Sequence, residues 1–265
     1  ANKNHLKLIK QANKYKVKNI IITNPNSYKI LKKINKNKQI KIYNNFDNLN
    51  KIFKTKVDYA MSSITGLDGL KPTIEISKFT KKLAIANKEA IICGWNLISK
   101  ILKKYKTEFV PVDSEHFSIW YALKNNMDIV SKIYLTASGG PFLNLPTSKL
   151  RKVKIKDALK HPNWKMGKKI SIDSATMMNK VFEIIEAKKI FNLKYNQLSI
   201  LTHPDSYIHA IVQFKNGLVK LIAHKTDMKI PIENTIYDRK KNFSDNVKLE
   251  ISKLNNINLK KIDEK

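Results

Sequence analysis

Residues 57–116 read VDYAMSSITGLDGLKPTIEISKFTKKLAIANKEAIICGWNLISKILKKYKTEFVPVDSEH. Three strand-like runs, VDYAMSSITG (57–66), KLAIANKEA (82–90) and EFVPVDS (108–114), alternate with two helical ones, LKPTIEISKFT (70–80) and IICGWNLISKILKKY (91–105). Strands alternating with helices predict a parallel α/β sheet. Ligands of such sheets gather beyond the carboxyl ends of the strands, where this chain has Asn87-Lys88-Glu89 and Asp113-Ser114-Glu115. Either could be an ordinary helix start, with a carboxylate capping the apolar helix HFSIWYAL (116–123). Two hard carboxylates two residues apart at a strand end equally suit an oxygen-ligand site for Mg²⁺ or Mn²⁺.

Outward from this core, an amphipathic helix and the strand KNIIITN (18–24) precede it, with a second strand expected around residues 40–45. Beyond it, IYLTASGGPF (133–142) reads as a strand followed by small residues that let backbone approach a ligand closely. Residues 161–187, HPNWKMGKKISIDSATMMNKVFEIIEA, read as a mobile loop (HPNWKMG), a short strand (KKISI) and a helix capped by Asp173 or Ser174. On that helix Asn179 and Glu183 share a face and Lys180 lies three residues before Glu183. Apolar Met178, Val181, Phe182 and Ile185 in the same turns predict a mostly buried helix, so Lys180 and Glu183 need partners. A third carboxylate, Glu183, then joins Asp113 and Glu115 as a candidate metal ligand. Residues 197–224 read as antiparallel strands with an Asn216-Gly217 hairpin turn, and DMKIPIENTIY (227–237) as a helix. His203 and His209 match no common zinc spacing and are expected to be structural.

Composition bounds the rest. A chain of 265 residues holds one large domain or two medium ones. Its net charge of +30 invites a polyanion-binding reading, but Arg151 and Arg239 are the only arginines, and specific phosphate or base recognition leans on the bidentate Arg fork. The expectation is no specific nucleic-acid partner, and no membrane span, since no apolar run is long enough. The single cysteine, Cys93, fits a reducing cytoplasm and is expected as a small core residue.

The ordered set ANKE (86–89), PVDSEH (111–116), T-x-SGGPF (136–142), HPNW-x-MG (161–167), DSATMMNK-x-x-E-x-IEA (173–187) and DM-x-x-PI (227–232) resembles the 1-deoxy-D-xylulose 5-phosphate reductoisomerases. That family performs an NADPH- and divalent-metal-dependent rearrangement and reduction of the sugar phosphate to 2-C-methyl-D-erythritol 4-phosphate in isoprenoid biosynthesis. The resemblance implies that Asp113, Glu115 and Glu183 hold Mn²⁺ or Mg²⁺ and, with Lys88 and His161, form the catalytic set. It implies a substrate site of Lys88, Ser114, Glu115, Ser138, His161, Trp164, Ser174, Asn179, Lys180 and Glu183. It places Lys3, Asn4, Asn87, Glu89, Met166, Gly167 and Met228 on NADPH, and implies a homodimer built through the catalytic sheet.

The fold class expected is α/β, with an incomplete Rossmann-like NADPH-binding domain (1–112), an α+β catalytic domain (113–241) and the start of a linker (242–265) whose polar tail has no obvious terminal element. The family's Gly-rich turn and C-terminal helical domain are missing from the chain as it stands, so the segment alone is expected to be an incomplete enzyme. Ala137 and Val181 replace family glycines. Three rivals accompany this reading: another NADPH-dependent dehydrogenase, a catalytically decayed family member and a lysine-rich polyanion-binding protein.

Overall fold

The computed structural model describes residues 1–47, 49–124, 128–164, 166–237 and 248–262. The first half alternates as expected: α1 (His5–Lys14), β1 (Asn19–Ile21), α2 (Pro25–Ile34), β2 (Lys41–Tyr43), α3 (Leu49–Ile52), β3 (Val57–Ser62), α4 (Leu70–Ser77), β4 (Thr80–Ile85), α5 (Lys88–Lys104), β5 (Glu108–Pro111) and α6 (Ser114–Leu123). β1 pairs with β2, and β3-β4-β5 form a three-stranded sheet, all parallel. The centre of that sheet is apolar on both faces, since Leu83, Ala84 and Ile85 are all enclosed, as a strand covered on two sides requires. Ala90, Ile91, Ile98 and Leu102 of α5 complete its core. Strands 82–90 and 108–114 end earlier than expected because Asn87 caps α5, its side chain accepting from Ala90 N–H at 2.9 Å, and Asp113 stands at the α6 N-cap.

The second half is β6 (Val130–Ala137), α7 (Thr147–Leu150), α8 (Ile155–Ala158), α9 (Lys168–Ala175), α10 (Met178–Ile190), β7 (Leu198–Thr202), β8 (Ile208–Phe214), β9 (Val219–Ala223), α11 (Lys229–Tyr237) and β10 (Lys260–Lys261). Its five-stranded sheet runs β10-β7-β6-β8-β9. β8 and β9 form the expected antiparallel hairpin, with Gly217 at φ 87° in its turn. β7 departs from expectation: it pairs parallel to β6 rather than antiparallel to β8. The α7–α10 excursion is a crossover long enough to permit this, and local patterning does not reveal a crossover.

Four further expectations are corrected. KKISI is not a strand but the first part of α9; two isoleucines at alternate positions fit either period over so short a run. The helix does not start at a capping Asp173 or Ser174. α9 stops at Ala175, and Met177, at φ 61°, turns the chain into α10 without a side-chain cap. Cys93 is exposed, because α5 turns Ala90, Ile91, Gly94 and Ile98 inward and leaves Cys93 and Leu97 outside. The tail is not without structure: β10 adds to β7, and Leu249, Leu254 and Leu259 pack on Tyr207, Ile208 and Ile211. The boundary expected at 241/242 lies outside the described residues.

Candidate active site

The ends of β5 and the starts of α5 and α10 meet at one place. Lys88 is the first residue of α5, Asp113 the N-cap of α6, and Glu115 sits in its first turn. Asp113 stands at the N-cap but makes no capping hydrogen bond with its side chain, which is left to pair with Lys88 and His116. α10 supplies Asn179, Lys180, Glu183 and Glu186, which fall on one face.

That face is charged and enclosed. Lys180, Glu183 and Glu186 are 7%, 1% and 1% exposed, whereas Met178 and Val181 are 41% and 45% exposed. The expected burial of the charged pair is correct, but of the apolar residues meant to cause it Met178 and Val181 lie on the outer side and Phe182 and Ile185 are only half-buried. Lys180 and Glu183 tolerate burial because each has a partner of opposite charge. Lys88 Nζ lies 3.1 Å from Asp113 Oδ2 and 3.5 Å from Glu183 Oε1, and donates to Asn179 Oδ1 at 2.7 Å. Lys180 Nζ donates to Glu115 Oε1 at 2.5 Å and also to Glu183, which accepts from the Asn179 amide as well.

Oxygens of Asp113, Glu115 and Glu183 lie within 4.8 Å of one another. Three hard carboxylates so close repel, and their donor chemistry suits a divalent cation such as Mg²⁺. The titration of the site carries the same signature. Burial, then the Glu183 charge, pushes Glu115 up to about 7 against the pull of Lys180. Burial works against the positive charges of Lys88 and Lys180, but the surrounding carboxylates outweigh it and hold both firmly protonated. Burial also opposes ionisation of Asp113, yet Lys88 and His116 keep it well below the usual carboxylate range.

Facing this floor is the turn after β6. Gly139 and Gly140, at φ 83° and 66°, let the backbone fold against α9; a Cβ on Gly140 would lie 2.9 Å from Ser174 O. Ser138 Oγ accepts from Gly140 N–H at 3.1 Å and lies 3.1 Å from His161 Nε2. His161 Nδ1 accepts from the N–H groups of Asn163 and Trp164 at 3.2 and 3.0 Å, which places the ring proton on Nε2. Burial and the Lys180 charge lower its pKa, so His161 is a neutral donor aimed at Ser138. Asn163 fastens the loop by donating to Ser206 Oγ at 2.8 Å. Trp164 stands edge-on to His209, which stacks on His224 at 3.7 Å.

Together these groups line a cavity of about 260 Å³. Of the expected residues it brings together Lys88, Asp113, Ser114, Glu115, Ser138, His161, Trp164, Met166, Ser174, Asn179, Lys180, Glu183 and Met228. Lys3, Asn4, Asn87, Glu89 and Gly167 lie outside the lining. Asn87 donates to the carbonyls of Ile64 and Gly66 besides capping α5, and Glu89 pairs with Lys169 at 3.1 Å. Asn4 accepts from Lys7 N–H as the cap of α1.

Sequence reasoning missed Glu186, Ser206 and His209, which also line the cavity. Glu186 was within reach, three residues after Glu183 on the same helical face. His209 was expected to be structural; the structure gives it a place in the cavity wall, while His203, its Nδ1 3.1 Å from Asn258 O, stays structural.

Comparison with known proteins agrees with this geometry. The family model for 1-deoxy-D-xylulose 5-phosphate reductoisomerase matches residues 1–94, and that for its C-terminal domain matches residues 109–191. A 1-deoxy-D-xylulose 5-phosphate reductoisomerase of Pelagibacter ubique is 64% identical over 265 residues, covering 99% of this chain and 68% of that protein. The chain belongs to the 1-deoxy-D-xylulose 5-phosphate reductoisomerase family. A reductoisomerase of Wolbachia pipientis subsp. Culex pipiens is 40% identical, covering all of this chain and 68% of its own length. Among solved structures, a reductoisomerase in complex with NADPH, fosmidomycin and magnesium is 30% identical with a TM-score of 0.88, over 99% of this chain and 68% of that one. The Zymomonas mobilis reductoisomerase in complex with NADPH is 32% identical with a TM-score of 0.87, over the same shares. The α/β fold, a Rossmann-like NADPH-binding domain followed by a catalytic domain, is that of these reductoisomerases.

Proposed function

We propose that this chain carries the family reaction, the NADPH-dependent rearrangement and reduction of 1-deoxy-D-xylulose 5-phosphate to 2-C-methyl-D-erythritol 4-phosphate, with its own residues in the following roles. The observation that carries the assignment is the convergence of three carboxylates with Lys88, Lys180, Ser138, His161, Ser174 and Asn179 on one enclosed cavity.

Asp113, Glu115 and Glu183 would hold the divalent cation, which supplies Lewis-acid polarisation and a template for the substrate's oxygens. NADPH supplies the hydride; Met166 and Met228 offer it an apolar wall, Lys3, Asn4, Glu89 and Gly167 further contacts, and Asn87 braces the loop at Ile64–Gly66 beside it. Lys88 and Lys180 keep the carboxylates from repelling one another and present fixed positive charge to an anionic substrate. Ser138, Ser174 and Asn179 suit the phosphate and hydroxyls. The Ser138 oxygen already accepts from Gly140 N–H, so its own proton is left for a ligand oxygen. His161, with its Nδ1 occupied by backbone donors, gives its one N–H to the Ser138 oxygen and so helps turn the Ser138 proton towards a ligand. Trp164, fixed beside His209, closes the cavity side and excludes water from the reacting carbons, as lids do.

We assign residues 1–112 to cofactor binding and 113–241 to the metal, the substrate and a homodimer contact, in a cytoplasmic enzyme. No helix among the described residues is long and apolar enough to cross a membrane. The test is NADPH oxidation by the full-length protein with 1-deoxy-D-xylulose 5-phosphate and Mn²⁺ or Mg²⁺. Turnover that disappears with EDTA and in Glu183→Gln supports the assignment. A folded full-length protein that does not turn over leaves membership in the family without the activity.

A further inference from the structure

The carboxylates of the cavity floor are not equivalent. Asp113, Glu115 and Glu183 each meet an ammonium within 3.5 Å. Glu186, equally enclosed, does not: its Oε2 is buried with no hydrogen-bond partner among the described residues and lies 3.7 Å from His116 Nδ1. A buried, unsatisfied carboxylate oxygen is costly and needs an explanation. Its neighbour supplies one. His116 is fully enclosed, with Nε2 2.9 Å from the backbone oxygen of Glu183 and Nδ1 3.3 Å from Asp113 Oδ1. A carbonyl oxygen only accepts, so Nε2 carries a proton, and Nδ1 faces the carboxyl groups of Asp113 and Glu186. The ring thus touches two of the three proposed metal ligands, one through its side chain and one through its backbone.

We propose that Glu186 is a positioning residue of the metal centre: acting through His116, it holds the Asp113 carboxylate and the α10 backbone at Glu183 in the arrangement that takes a divalent cation. The inference rests on the metal-centre reading above. Outer partners of this kind orient ligands without touching the ion. Glu186 fits that role because it groups with His116 and Asp113, and shares only Asp113 with the group formed by Asp113, Glu115 and Glu183.

The test is Mn²⁺ affinity, read from the electron paramagnetic resonance signal of the free ion, on metal-free full-length enzyme. Glu186→Gln, nearly isosteric, should weaken Mn²⁺ binding about 10–100-fold while thermal stability without metal is not lowered. Placed on a His116→Asn background, the same substitution should have an effect under about threefold, because the relay is already cut. Should His116→Asn not fold, Glu186→Asp decides. It keeps the charge and shortens the reach, so a loss of about tenfold supports positioning, and wild-type affinity overturns it in favour of charge alone. Glu186→Gln binding Mn²⁺ as wild type does, or losing as much on the His116→Asn background, also overturns it. A wild type that binds no Mn²⁺ brings down the metal-centre reading and this inference with it. Wild-type binding that Glu183→Gln abolishes leaves that reading standing, and the Glu186 result then decides this one alone.

Discussion

α5 and α10 border the same cavity, and they are built on opposite plans. α5 buries Ala90, Ile91, Gly94, Ile98 and Leu102, an apolar stripe whose burial is its own reward. α10 buries Lys180, Glu183, Glu186 and Ala187, and turns Met178 and Val181 outward. Its inward face is stable only while Lys88, Glu115 and His116 arrive from other elements to balance its charges. α5 therefore serves chiefly stability and contributes chemistry through its first residue, Lys88. α10 is organised for chemistry along its length, and its folding is tied to the site it builds.

The comparison predicts which property each helix loses when altered. Glu183→Gln should lower turnover roughly a thousandfold, as removing a ligand of a Lewis-acid centre worth several kcal/mol would, with the far-ultraviolet circular dichroism unchanged; turnover within tenfold of wild type would break the contrast. Ile98→Ala in α5 should cost about 3 kcal/mol in denaturant unfolding and leave kcat per folded molecule at the wild-type level. A kcat that fell with it would show that the apolar face also tunes the chemistry.

A third prediction concerns pH. Burial and the nearby carboxylates Asp113 and Glu183 push Glu186 up to about 7, against the pull of His116 and Lys88, and Glu115 likewise reaches about 7. Burial lowers His116, but Glu186 and Asp113 outweigh it and raise the ring to about 9. In each case the folded protein binds protons that the unfolded chain has released, so stability falls as pH rises. The carboxyl groups act between their ordinary range and about pH 7, and His116 between its ordinary range and about pH 9. Metal-free protein should lose about 3–10 °C in Tm between pH 5 and 9, and saturating Mg²⁺ should restore most of it. A flat profile would show that the charged face of α10 is not strained. The smallest effect is expected outside: Val181→Ser should change stability by less than about 0.5 kcal/mol, because Val181 is exposed despite its place in an apolar-looking run.

Much of this was legible in the chain. The alternation at 57–114 announced a parallel sheet, and Asp113, Glu115, Lys88, Asn179, Lys180 and Glu183 stood in motifs whose residue types already implied a cation and an anionic ligand. What misled was local patterning read as burial. KKISI has the alternation of a strand but lies in α9, where Lys169 pairs with Asp173 at 2.8 Å and Ser171 Oγ donates to Gly167 O at 3.1 Å. β7 looks like the partner of β8, yet it sits across β6 from it. His116 and Glu186 lie in sequence beside obvious ligands, but nothing in their spacing says that they face one another.

By itself, then, the sequence determined the fold class, the family and the three-carboxylate set, because strand and helix periods and ordered motifs are local and survive without knowledge of contacts. Only the tertiary structure decided which face of α10 is inside, why a lysine and two glutamates tolerate burial there, and that Glu186 and Asp113 flank the same histidine. Those are matters of which charge meets which across 65 residues or more of chain. A buried charge is stable through its partners rather than through its own hydropathy.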